Sequence, residues 1–193
     1  STRTLTLNDA NISLNGITFD VKGTLKRDTV RRALNVDIAY ALHAPSLETV
    51  FNMIPESVLK RESMEARGSV KMEGDVKGWY GKQQMPAVTL KVQIDKASAK
   101  YEKLPYGIDN FTADFYAFVD LMRKQSSYAD LKIFHFQGAH TDILADAKIM
   151  NLLEDPDITF NTKSKVDLTA LAQAFPLQEG VTIGGDLEAD LRL

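Results

Sequence analysis

Val88-Thr89-Leu90-Lys91-Val92-Gln93-Ile94-Asp95 sets aliphatic side chains against polar ones in strict alternation. Successive side chains of a strand point to opposite sides, so such a stretch has one dry face and one wet face. The same rhythm recurs on both sides of it. Leu34, Val36, Ile38, Tyr40 and Leu42 alternate with Asn35, Asp37, Ala39 and Ala41. Near the end, Val181, Ile183, Gly185, Leu187, Ala189 and Leu191 alternate with Thr182, Gly184, Asp186, Glu188, Asp190 and Arg192. Weaker versions run through 12–25, 70–76, 108–121, 131–136, 143–149 and 158–166. Parallel strands, covered on both faces, lose this alternation, and the helices that would connect them are too few here. The prediction is a mainly β chain: an elongated antiparallel meander or groove of about nine to ten strands.

Two short helices interrupt the meander. Ser46 caps the first, with Leu47, Val50, Phe51 and Ile54 at helical spacing and Pro55 as its stop. Asp167 caps the second, with Leu168, Leu171, Ala172 and Phe175 on its stripe before Pro176. Helices this short are unstable alone and must dock on the sheet.

The helices expose an internal repeat. A shift of 121 positions carries Pro55 onto Pro176, Leu47 onto Leu168, Val50 onto Leu171 and Ile54 onto Phe175. An alternating strand leads into each helix, and a glycine-led strand follows each proline, Gly68–Met72 in one case and Gly185–Ala189 in the other. The repeat covers about 12–76 and 143–193, the second copy being cut short. Units of this kind stack into an elongated body in which each covers its neighbour. Residues 1–193 are therefore expected to form one β-rich unit. Because the chain starts and stops inside strands, it is expected to be a fragment of a longer protein, with room for a targeting segment elsewhere.

Composition narrows the function classes. Against 23 basic residues stand 26 acidic ones, a formal charge of −3, which disfavours nucleic acid as partner. Cysteine is absent, which excludes disulfides, thiolate metal sites and a cysteine nucleophile. No stretch approaches the length of an apolar membrane span. Chemistry-bearing constellations are poor. His135 and His140 flank Gly138, and only a turn there would gather them with Asp142 as metal ligands; His43 sits at a strand end. Glu154-Asp155-Pro156-Asp157 has the composition of a turn, not of a calcium loop. No Gly-x-Ser-x-Gly elbow and no phosphate-cradling glycine loop is present. Trp79-Tyr80 reads as a pair packed over a hairpin turn or as an interfacial pair at a membrane or ligand mouth. We expect no enzyme, no cofactor and no metal.

Repeated alternating strands joined by a Leu-x-x-Leu/Val helix, a proline and a Gly-x-Val/Leu-x-Met/Ala strand resemble the periplasmic region of AsmA-like proteins. Residues 46–55 with 68–74, and 167–176 with 184–193, carry that resemblance. It implies an inner-membrane anchor outside this chain, a periplasmic location, and a β-groove related to TamB-like and bridge-like lipid transfer proteins. The implied role is phospholipid transport or outer-membrane assembly, with phospholipid or another acyl-chain lipid as partner and no catalytic residues.

Val36, Ile38, Val88, Leu90, Val92, Ile94, Ile183 and Leu187 are the candidate lipid-binding wall of such a groove. Acyl chains laid along it gain about 0.8 kcal/mol per buried methylene. The same side chains could instead fill the closed core of a sandwich or small barrel. The protein would then be a structural or protein-interaction module with no lipid ligand, and the sequence leaves both open.

Overall fold

Alternating stretches turn into paired strands in the computed structural model, which describes residues 3–51, 64–102, 105–174 and 182–193. The strands are β1 (Arg3–Leu14), β2 (Ile17–Asp28), β3 (Ala33–Ala44), β4 (Met64–Tyr80), β5 (Ala87–Tyr101), β6 (Ile108–Val119), β7 (Tyr128–Gly138), β8 (Thr141–Met150), β9 (Asp157–Asp167) and β10 (Asp186–Arg192). Helix α1 (Leu47–Phe51) follows β3 and helix α2 (Leu168–Ala174) follows β9. All ten strands lie in one sheet in sequence order, each antiparallel to the next. The meander is as expected.

The sheet is open. Among the described residues, β1 and β10 each pair on one side only. Among the described residues no second layer of strands packs across either face, and apart from Ile17, Val36 and Phe136 every buried apolar residue there is an alanine. The closed core allowed by the sequence is therefore not what these residues form. A barrel needs its first and last strands to pair, and a sandwich needs a second sheet.

Two local features set the strand boundaries. The stretch 12–25, read from sequence as one strand, is a hairpin. Asn15 and Gly16 turn it with φ of 50° and 81°, and left-handed φ at both central residues is what a type I′ turn requires. Gly68 does not lead its strand but lies inside the 17-residue β4, at φ 102°. It faces the bulge that Lys96, at φ 45°, makes in β5, and a Cβ on Gly68 would stand 2.5 Å from the Ala97 Cα. Backbone proximity, which composition does not reveal, selects glycine there.

The helix caps are those expected. The Glu48 N–H donates to Ser46 Oγ (3.2 Å), and the Ala170 N–H donates to Asp167 Oδ1 (2.8 Å). Ala170 and Ala174 bury α2 against Ala139, with Tyr106 and Leu171 around them. Ile54, Pro55, Phe175, Pro176 and Val181 lie outside the described residues. The order β2-β3-α1-β4 is the same as the order β8-β9-α2-β10.

Candidate functional site

Register decides which side chains share a face. Directly paired residues point the same way, so a row can be followed across the sheet. One such row runs Ile12, Phe19, Leu42, Met72, Val92, Phe115, Leu131, Ala147, Phe160, from β1 to β9. Every member is apolar. The adjacent row, on the opposite face, runs Asn11, Asp20, Ala41, Glu73, Lys91, Tyr116, Asp130, Lys148, Thr159. The sheet thus has an apolar wall and a polar back.

Most of the predicted wall residues share one face of the sheet. Ile38 pairs through Val76 to Val88, while Val92 and Ile94 meet Met72 and Val70; Val36 lies opposite Gly78 on the same face. Leu90 shares that face by alternation within β5 and pairs with Ala117. Leu187 reaches the wall at the edge, opposite Val166, and is exposed. Ile183 does not belong to it. Strand β10 starts only at Asp186, after Gly184 and Gly185, and Ile183 is exposed in the connection from α2. Gly185, at φ 106°, is held there by its N–H donating to Thr169 Oγ1 and its carbonyl accepting from the Leu168 N–H. Sequence alternation ran straight through that break.

The wall is the more sheltered face. Along β8, Ile143, Ala145, Ala147 and Ile149 are less exposed than Asp142, Leu144, Asp146 and Lys148 between them. On the wall, Phe111 meets Phe134 edge-on at 5.5 Å. The Tyr40 ring lies over Gly74 and its hydroxyl donates to the Thr89 carbonyl (2.8 Å), so it offers apolar surface without an unmet polar atom. Apolar character fades in β9, where Thr162 and Ser164 take wall positions.

A hollow of about 620 Å³ lies on the polar back. Ala39 and Ala41 leave a dip there, ringed by Asp20, Lys22, Glu73, Lys91 and Tyr116. Some of the charges around it are paired: Lys91 faces Glu73 (3.4 Å), and Asp75 meets Lys77 (2.8 Å). The Lys77 ammonium and the Thr89 hydroxyl hold the Asp75 carboxyl below its ordinary value. A dip over small residues ringed by charged side chains is a solvated one, so the apolar wall is the stronger candidate.

The histidine cluster does not assemble. His135 Nε2 meets Asp142 (3.1 Å), while His140 turns to Asp167 (3.4 Å) and stacks edge-on with Tyr106. Among the described residues no group of three metal-ligating side chains converges. Trp79 and Tyr80 point to opposite faces. Arg31 covers the Trp79 ring at 4.8 Å, and Tyr80 is exposed at the end of the wall.

What sequence reasoning missed is the width of the wall. Met72, Phe115, Leu131 and Phe160 were legible as strand residues, but only pairing puts them in line with Val92. No family model, curated protein or solved structure matches this chain.

Proposed function

We propose that this chain is a non-enzymatic lipid-handling unit whose apolar wall holds the acyl chains of phospholipid or a similar lipid. The row of apolar side chains from Ile12 to Phe160 is the observation that carries this reading. Apolar surface on this scale stays wet only at a cost of about 25 cal/mol per Å², which an acyl chain lying on it removes. Burial is non-directional, so the wall selects for acyl chains and not for a particular headgroup. The resemblance to AsmA-like proteins supports the same role, in the periplasm and anchored to the inner membrane through parts of a longer chain. There the sheet would serve phospholipid transport or outer-membrane assembly.

A fluorescent fatty acid titrated against the chain tests the wall. Saturable uptake that falls at least tenfold in Ile38→Asp and Val92→Asp, with the circular dichroism spectrum kept, is the expected result. Uptake that both variants leave unchanged would sink the proposal.

A further inference from the structure

The register places four turns side by side at one end of the strands: 29–32, 81–86, 120–127 and 151–156. The first three share a composition. Val30, 93% exposed, stands at its turn's tip beside Arg31 and Arg32. Exposed Met85 shares its turn with Lys82, and exposed Leu121 and Met122 run into Arg123 and Lys124. Asp28 and Asp120 partly compensate Arg31 (3.9 Å) and Arg123 (2.9 Å). Arg32, Lys82 and Lys124 pair with no carboxylate among the described residues. Between the first two turns, a hollow of about 580 Å³ is lined by Arg27, Arg32, Leu34 and Tyr80. The fourth turn carries Glu154 and Asp155 and no cation, so the basic stretch ends at β7.

We propose that this edge docks on an anionic bilayer surface. Exposed apolar tips enter the headgroup layer while neighbouring cations meet lipid phosphates, the combination that holds peripheral proteins at an interface. The hollow between Arg27 and Arg32 seats one acidic headgroup. A nucleic acid would engage the cations but leave Val30, Met85, Leu121 and Met122 in water. This docking goes beyond the acyl-chain reading and does not depend on it: turn residues carry one and strand residues the other.

Flotation of the chain with vesicles of phosphatidylcholine, with and without phosphatidylglycerol, tests the proposal. The chain floats with the anionic vesicles and is released by salt. Each cation is worth about fivefold in affinity, so Arg32→Glu with Lys124→Glu weakens binding about 25-fold or more. Val30→Ser with Met122→Ser weakens it at unchanged charge. All four positions are exposed, so circular dichroism should not change. Equal flotation with neutral vesicles, or indifference to both double variants, overturns the proposal. Flotation with neither vesicle overturns it too and points to an acidic protein partner. Flotation by a chain that takes up no fatty acid leaves it standing and removes the acyl-chain reading alone.

Discussion

Asp120 shows how much one side chain can hold in a single-layered protein. It is 4% exposed, at the end of β6. Its Oδ1 accepts the N–H groups of Met122 (2.9 Å) and Arg123 (3.0 Å), and Oδ2 accepts from Arg123 Nε (2.9 Å). Its own N–H donates to the buried Ser127 Oγ. Burial raises the carboxyl pKa, but the Arg123 side chain and the two backbone donors outweigh it and hold it below 3.8. Asp120→Ala strands these donors and should lower stability by about 1–3 kcal/mol in urea unfolding, with Asp120→Asn milder. The folded pKa is depressed, so the carboxylate's contribution is present above the unfolded value of 3.8. It is lost as pH falls through the lower folded value. The gap between wild type and Asp120→Ala should therefore narrow as pH drops below 3.8, and a gap constant with pH would contradict the assignment. None of this was legible beforehand: Asp120 reads as a turn residue, and its burial depends on where β6 and β7 bring their ends.

At the scale of the element, alternation gave the strands and pairing gave the site. Val36, Ile38, Val88, Leu90, Val92 and Ile94 were readable because two-residue periodicity is local and strong in β3 and β5. The hairpin at Asn15-Gly16 was not, although its turn chemistry was in the sequence, because apolar residues flank it closely enough to sustain the rhythm. Ile183 failed for the converse reason, since alternation continues across a glycine pair that ends the strand. Gly68 needed the bulge opposite it to make sense. Gly68→Ala would hold a non-glycine residue at φ 102° and press its Cβ onto Ala97. The expected cost is about 1–3 kcal/mol, read as a lower urea midpoint. An unchanged midpoint would mean that β4 and β5 slide past each other freely at the bulge.

For the whole molecule the decisive property is a sheet with two unlike faces and no described layer over either. An antiparallel sheet ordinarily wets one face and buries the other on a second layer. Here the apolar rows are sheltered mainly by their own neighbours, and large side chains remain partly exposed along the wall. Sequence could say that one face is dry, but not whether it closes on itself, because closure depends on whether the edge strands meet. An open apolar wall asks for an apolar occupant, and native mass spectrometry of the chain purified from a bacterial periplasm tests that most directly. The expected result is co-purifying phospholipid that is lost in Val92→Asp while the folded charge-state distribution is kept. A folded wild-type chain that carries no lipid, or a Val92→Asp chain that carries as much, would contradict it.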